Sequence, residues 1–237
     1  MYAETPLIHS AALWRSYDAG PAVIPADGCV DLILSDDEVA VAGPSTRWIA
    51  TRADCGEGSL GVRLAPGTGA RALGVDLREI SDRLVPLGDL VPPQEVRRWR
   101  SVPLHTRATG SPDLVERALR AGEGWAEAVR ERAAGGASAE DVARELGWSE
   151  RTFRRQMQRS FGYGYATLVR IRRAQHAHRL LTGGMPPAAA AANAGYADQP
   201  HLSRELRRLA GVSPAQLVGA SSANSSTELP SGSSSVA

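Results

Sequence analysis

The chain has 237 residues, more than the roughly 100 to 200 of a typical domain, so we expect two folded units. Hydrophobic residues make up 43% and charged residues 22%, which is the composition of a globular protein and excludes an intrinsically disordered chain. No apolar run approaches the ~20 residues of a membrane-spanning helix, and the N-terminus lacks a signal-peptide pattern, so we expect a cytoplasmic protein.

The formal net charge of +1 conceals two regions of opposite charge. Residues 137–219 contain 12 Arg against six Asp and Glu, a net of +6, whereas residues 1–136 contain 15 Arg against 19 acidic residues, a net of −4. Every basic residue of the chain is Arg and Ala is abundant, which indicates a GC-rich genome, so the number of Arg residues alone does not indicate DNA binding. Their position does, and it makes the C-terminal region the candidate nucleic-acid surface.

Short β-type runs separated by turn residues occupy the first third of the chain. Residues 29–34, an acidic turn at 35–38 and residues 39–42 predict a hairpin. Further strands are expected where the sequence is too short and too interrupted by Gly for helices, at 47–51, 59–64 and 71–75. Residues 1–110 are therefore predicted to form a small β-rich domain.

Prolines interrupt the sequence after residue 77, and the next predicted element is a helix beginning at Ser111-Pro112-Asp113. Its apolar stripe starts at Leu114 and continues to Val129. Residues 111–136 are thus predicted to be a helical connection that ends in a Gly linker. Residues 220–237 consist mostly of Ser, Ala and Gly and are expected to be a disordered tail.

Two helix pairs are predicted in residues 137–219. In the first pair, Ser138 caps a short helix that ends at Gly147, and Ser149 caps a second helix. The apolar positions of this pair predict its core: Leu146, Phe153, Met157 and Phe161. The outward positions of the second helix are Glu150, Arg151, Arg154, Arg155, Gln158 and Arg159. Such a face suits a DNA major groove, because a guanidinium bonds guanine or clamps a phosphate, although a solvated basic face would have the same pattern.

The second pair repeats the pattern, which favours DNA binding over a merely solvated face. Residues 187–194 predict a short helix, Gly195-Tyr196 a turn, and Asp198 the cap of a further helix. The inner positions of that helix are Leu202, Leu206 and Leu209, and the exposed early positions are Gln199, His201, Ser203 and Arg204. A long helix over residues 168–181 is expected to join the pairs.

The two pairs resemble the AraC/XylS family of transcription regulators. The first carries Ala143, Leu146-Gly147-Trp148-Ser149, Arg151, Phe153 and Phe161-Gly162; the second carries Gly195-Tyr196, Asp198-Gln199, His201-Leu202-Ser203-Arg204, Arg207-Arg208 and Gly211-Val212-Ser213-Pro214. The resemblance implies an all-α domain whose two helix-turn-helix units enter successive major-groove segments, and hence an α+β fold for the whole chain. It implies DNA contacts by Arg151, Arg154, Arg155, Arg159, Gln199, His201, Ser203 and Arg204.

The same resemblance implies promoter DNA as partner and a homodimer, and it leaves open a small-molecule effector and a contact with RNA polymerase. Two departures concern the second unit: Leu202 and Leu206 stand where the family usually has Phe, and Pro200 stands where a DNA contact is common. Proline cannot donate a hydrogen bond to a base, so we expect this unit to act mainly as a phosphate anchor. Residues 26–33, 42–44 and 61–67 resemble the sensor-like domain of one AraC-type subgroup, which implies that residues 1–110 form a regulatory domain that binds an effector.

Catalysis is not expected, because no His lies between His9 and His105 to pair with Cys29. Asp27-Gly28 is interpreted as a turn before a strand, and Arg63 as facing water, with an anionic effector as its alternative partner. Two cysteines are too few for a zinc site, and no cofactor or metal is expected. Two other functions stay open: a thiol sensor using Cys29 or Cys55, and a protein that binds an acidic protein partner through its Arg faces.

Overall fold

The computed structural model describes residues 2–17, 23–35, 38–51, 58–119 and 124–221. The middle of the predicted turn at 35–38, Cys55, and the predicted tail from residue 222 onward lie outside these ranges. In the described ranges, no helix combines the length and the apolar character needed to cross a membrane.

The N-terminal region contains a six-stranded antiparallel sheet in the order β1-β2-β7-β4-β5-β8, and β3 pairs separately with β6. The strands are β1 (Tyr2–Pro6), β2 (Ala12–Ser16), β3 (Val23–Ile24), β4 (Val30–Ser35), β5 (Glu38–Ala42), β6 (Ile49–Ala50), β7 (Ser59–Leu64) and β8 (Leu84–Pro86). The predicted pairing of β4 with β5 is confirmed. β1, β2 and β8 were not predicted.

The helices are α1 (Gly69–Leu73), α2 (Pro93–Thr109), α3 (Asp113–Ala118), α4 (Gly124–Ala134), α5 (Ala139–Glu145), α6 (Glu150–Phe161), α7 (Tyr165–Thr182), α8 (Pro187–Asn193), α9 (Gln199–Ala210) and α10 (Pro214–Ser221). The predicted α+β fold is therefore confirmed, with the sheet in the N-terminal part and an all-α C-terminal part.

One face of the sheet forms the N-terminal core. Leu13, Val62 and Leu32 occupy paired positions on β2, β7 and β4 and are all buried. α2 and α3 cover this face with Trp99 and Val115, which belong to the same apolar cluster. Alternate residues of the three strands point to the opposite face, because side chains alternate along a strand, and that face carries Asp31 and Arg63.

The strand predicted at residues 71–75 is wrong, because α1 occupies this position. Leu73 is buried, and the helix ends at Gly74, whose φ of 73° is easily adopted only by a residue without a side chain. α2, a helix of 17 residues, was not predicted because prolines suggested an irregular segment. Its first proline lies in the first turn, where no N–H is needed, and burial of Trp99 against the sheet stabilises the helix despite Pro103 in its interior.

The segment predicted as a helical connection contains two helices that pack in different places. α3 contributes Val115 to the N-terminal core, whereas α4 contributes Ala126 and Val129 to the core of the C-terminal region. The connection is thus divided between the two cores.

The C-terminal helices begin at the predicted caps. The side chains of Ser138, Ser149 and Asp198 accept hydrogen bonds from the backbone N–H groups of Asp141, Thr152 and His201. These bonds pair N–H groups that have no partner within a helix, so each fixes where its helix starts. α7 extends the predicted central helix to 18 residues.

His178 lies on the buried side of α7, with only 4% of its surface exposed. Burial, and secondly the nearby Arg179, lower its pKa from 6.5 to about 4. In the unfolded chain the His178 side chain takes up a proton near pH 6.5, whereas in the folded chain it does so only near pH 4. Above pH 6.5 the side chain is neutral in both states, so its full contribution to the free energy of unfolding is present there. We expect the free energy of unfolding to fall by up to about 3 kcal/mol as the pH drops from about 6.5 to about 4.

Urea unfolding at several pH values in this range would measure the effect. His178→Gln should flatten the pH dependence, whereas His176→Gln, at an exposed position of the same helix, should leave it unchanged. Equal pH dependence in wild type and His178→Gln would contradict the assignment.

Candidate nucleic-acid interface

α6 separates an apolar face from a basic one. Phe153, Met157 and Phe161 recur every four residues and are buried. The other side of the helix exposes Arg151, Arg154, Arg155 and Arg159, and Gln158 is half-buried at its edge. Four guanidiniums on one helical face produce a positive potential that attracts phosphates.

Among the described residues, the four exposed arginines of α6 form no ion pair, and neither do Arg179, Arg204, Arg207 and Arg208, whereas the neighbouring Arg144 and Arg132 are paired. Arg144 forms ion pairs with Glu140 and Asp141, and Arg132 pairs with Glu145. Among the described residues, no ion pair involves any of the four α6 arginines. Their charge is therefore available to an anion from outside the chain.

Aromatic packing holds α6 in place. Trp125 of α4 packs on Trp148 and on Phe161, with ring centroids 5.1 and 5.8 Å apart. Leu146, in the turn between α5 and α6, is partly buried against the same cluster. The basic face is consequently presented on a helix supported by a packed core rather than on a loop.

The second unit has a similar division with fewer charges. Leu202, Leu206 and Leu209 of α9 are buried, and the early exposed positions are Gln199 and Arg204. His201 and Ser203 are half-buried. The His201 ring meets Tyr196 edge to face at 5.2 Å, and the Ser203 hydroxyl donates a hydrogen bond to the Gln199 carbonyl at 2.9 Å. The side chains of His201 and Ser203 thus already make contacts inside the second unit.

Polar contacts attach α9 to α7. Arg170 donates from Nε and Nη2 to the two carboxylate oxygens of Glu205, both at 2.9 Å. This pairing lowers the pKa of the Glu205 carboxyl, so the carboxylate stays charged. Arg173 of the same helix lies over the Tyr196 ring at 5.6 Å. At its N-terminal end α7 contacts the first unit, because the centroid of the Tyr165 ring lies 5.5 Å from that of Phe153, so this helix connects the two units.

The N-terminal region contains a buried ionic cluster around Arg63. Its Nη1 donates to Glu4 Oε2 at 3.0 Å, and its Nε lies 3.4 Å from Asp27 Oδ2 and 3.3 Å from Asp31 Oδ1. The interpretation of Arg63 as facing water is therefore wrong: the residue is 8% exposed. The strand register explains the cluster, because β4 and β7 place Asp31 directly opposite Arg63.

Burial and charge shift the pKa values in this cluster. Burial raises the pKa of Asp31 to about 6, although Arg63 acts in the opposite direction. Burial lowers the pKa of Arg63, but Asp31 and Asp27 outweigh it, so the net shift is upward and the guanidinium stays charged. With three carboxylates around it, Arg63 has little capacity for an anionic effector. Among the described residues, no cluster of His, Cys, Asp and Glu has the arrangement of a metal site.

Asp27 and Cys29 form a tight turn before β4. Asp27 Oδ1 accepts hydrogen bonds from the Cys29 backbone N–H at 2.9 Å and from Ser45 Oγ at 3.0 Å. Burial, followed by the charge of Asp27, raises the pKa of the Cys29 thiol well above its usual value. A thiol that stays protonated is a poor nucleophile, so this environment does not favour Cys29 as a reactive sensor.

The N-terminal region contacts both helix pairs, which the sequence did not predict. Ser81 Oγ donates to the Gly162 carbonyl at the end of α6, Tyr163 Oη to the Gly28 carbonyl, and Arg130 Nη1 to the Pro66 carbonyl, at 2.7, 3.2 and 2.9 Å. The Ala26 N–H donates to the Leu209 carbonyl of α9 at 2.7 Å. Gly28 has φ 70° and would bring a Cβ to 2.1 Å from Tyr163 Oη, so this contact requires glycine.

Comparisons with known proteins match each region separately. The family described as "Helix-turn-helix domain" matches residues 142–219, and the family described as "Domain of unknown function (DUF6597)" matches residues 10–86. A comparison with curated proteins found no match.

Similar solved structures include a probable AraC family transcriptional regulator from Rhodopseudomonas palustris, with 27% identity, 42% of this chain and 98% of that chain covered, and a TM-score of 0.38. The C-terminal domain of AraT, a response regulator from Geobacillus stearothermophilus, has 24% identity over 42% of this chain and 91% of that chain, with a TM-score of 0.35. ToxT from Vibrio cholerae has 10% identity over 90% of this chain and 98% of that chain, with a TM-score of 0.43.

The C-terminal region is a helix-turn-helix domain, the class of a DNA-binding transcription regulator. The match of residues 142–219 confirms the resemblance of the two units to AraC-type regulators, and residues 10–86 are similar to the DUF6597 family.

Proposed function

We propose that the protein binds a specific DNA sequence and regulates transcription, with α6 and α9 in successive major-groove segments. The supporting observation is the set of exposed arginines on α6 that form no ion pair with any described residue, Arg151, Arg154, Arg155 and Arg159, next to Arg144 and Arg132, which are paired within the chain. The early residues of such a helix reach base edges, and its later residues reach phosphates. α9, with Gln199, His201, Ser203 and Arg204, is the second and weaker reader.

The N-terminal domain would sense a signal and transmit it through its contacts with both units. The hydrogen bonds of Ser81 with Gly162 and of Ala26 with Leu209 support this route, because each joins the sensor region to a recognition helix or its end. The active species would be a cytoplasmic homodimer without catalytic activity. Light scattering of the purified protein would establish the oligomeric state.

Selection of duplexes from a random pool by the full-length protein tests the proposed function. We expect enrichment of one sequence, with an affinity for it about 10³-fold or more above that for a scrambled duplex. Its binding should weaken steeply with salt, because each neutralised phosphate releases counterions.

A protein that used its Arg face on an acidic protein would enrich no sequence. It would also bind polyglutamate and scrambled duplex in a similar way, since both are only polyanions. That result would contradict sequence-specific DNA binding and favour the protein-partner function.

A further inference from the structure

A basic cleft lies between the N-terminal domain and the first recognition helix. Its volume is about 450 Å³, and its lining residues are Asp76, Arg78, Arg155, Gln156 and Arg159. Arg155 and Arg159 belong to the basic face of α6. Asp76 directly precedes the short 3₁₀ helix Leu77–Glu79, and Arg78 lies within it. The cleft therefore adds a side chain from outside the helix-turn-helix domain to the α6 surface.

The 3₁₀ helix is fixed against α6. Leu77 is fully buried, and the nearby Ser81 donates to the Gly162 carbonyl, the residue that follows α6. The Asp76 side chain caps this helix by accepting from the Arg78 N–H at 3.1 Å. The packing of this short helix on α6 therefore holds Arg78 next to Arg155 and Arg159.

The Arg78 guanidinium is oriented by Asp76. Its Nε lies 3.1 Å from Asp76 Oδ1 and its Nη2 lies 2.6 Å from Oδ2, while more than half of the side chain (56%) is exposed. Among the described residues, no hydrogen bond involves Arg78 Nη1. The guanidinium thus has its conformation restricted while a donor nitrogen stays available for an external acceptor.

The charge of the cleft selects an anion. Three guanidiniums face one carboxylate, a net of +2, and that carboxylate is already bonded to Arg78. Arg159 lies in the last turn of α6, one helical turn after Arg155. A recognition helix that inserts its first turns in the groove places its later turns near the rim, where the phosphates run.

We propose that this cleft binds a phosphate of the DNA backbone and that Arg78 of the N-terminal domain contacts that phosphate. The inference rests on the proposed function, since it requires α6 to enter DNA. It makes the N-terminal domain a direct part of the DNA interface. A phosphate contact adds affinity and fixes the position of the helix without reading sequence.

A salt titration of Arg78→Ala tests the proposal. The probe is a random-sequence duplex of about two helical turns, and Kd is measured by fluorescence anisotropy between about 50 and 200 mM salt. Loss of one phosphate contact should reduce the slope of log K against log salt by about 0.9 and should weaken binding to every sequence by a similar factor. Arg97→Ala, at an exposed position of α2, is the matched control and should retain the wild-type slope.

Duplexes with a single uncharged methylphosphonate provide a second measurement. At the linkage that Arg78 contacts, wild type and Arg78→Ala should bind equally, whereas at other linkages the wild type should bind more tightly. This pattern would identify the phosphate and support the proposal.

The outcomes separate the two proposals. Wild-type protein that shows no salt-dependent binding to any duplex overturns the proposed function and, with it, this inference. Normal wild-type binding with an unchanged slope in Arg78→Ala overturns only the inference. Tighter binding by Arg78→Ala would also overturn it, because the pair of Asp76 and Arg78 would then hinder DNA instead of holding it.

Discussion

Arg155→Ala is expected to weaken binding to the selected duplex by about 1 to 3 kcal/mol, roughly 5- to 150-fold in Kd, because a guanidinium bonded to guanine contributes energy in this range. Arg151→Ala should have an effect of similar size, since Arg151 lies in the first turn of α6, the part nearest to the bases. If a residue contacts a base, its loss should lower affinity for the selected duplex more than for a scrambled one. Fluorescence anisotropy with both duplexes at one salt concentration measures the difference.

Arg144→Ala is the matched control for this pair. Arg144 is an exposed arginine of the neighbouring helix α5, but its charge is taken up by Glu140 and Asp141. We expect its removal to leave the preference for the selected duplex intact. If both Arg151→Ala and Arg155→Ala bind the selected duplex as the wild type does, the assignment of α6 as the reading helix is contradicted.

The second large effect concerns stability. Arg63→Met should lower the free energy of unfolding by about 3 to 5 kcal/mol, because it leaves buried carboxylates without their cation. The residue is 8% exposed and lies among Glu4, Asp27 and Asp31, so water replaces little of the lost interaction. Urea unfolding followed by circular dichroism measures the change.

Two further variants make this test decisive even if Arg63→Met folds poorly. Arg83→Met removes an exposed arginine of the same domain and should change the free energy of unfolding by less than about 0.5 kcal/mol. Asp31→Asn combined with Arg63→Met should recover part of the loss, since it removes one of the uncompensated charges. A stability of Arg63→Met within about 1 kcal/mol of wild type would contradict a structural role for the cluster.

The helix-turn-helix units could be predicted because their signals are local. Ser149 and Asp198 cap helices a few residues away, and Phe153, Met157 and Phe161 mark a buried face by their spacing alone. The exposed arginines then follow from the same periodicity. No contact between distant parts of the chain is needed for any of these inferences.

The N-terminal domain was harder to predict because its structure depends on long-range pairing. The carboxylates around Arg63 come from three separate strands or turns, and only the register of β4 with β7 brings Asp31 opposite Arg63. The same applies to α2, whose prolines argue against a helix until the sheet offers Trp99 a surface. Arg78 likewise gains its position next to Arg155 only through the packing of the 3₁₀ helix on α6.

The hydrogen bonds between the N-terminal region and the helix pairs share one chemical property. The acceptors for Ser81, Tyr163, Arg130 and the Ala26 N–H are all main-chain carbonyls, which every amino acid provides. Two of these carbonyls belong to Gly28 and Gly162, where a positive φ and close neighbours require glycine. The other two belong to Pro66 and Leu209, and each would persist with a different side chain, provided that the backbone keeps its path. An N-terminal domain attached in this way could change its other surfaces while its connection to the same DNA-binding domain is inherited unchanged.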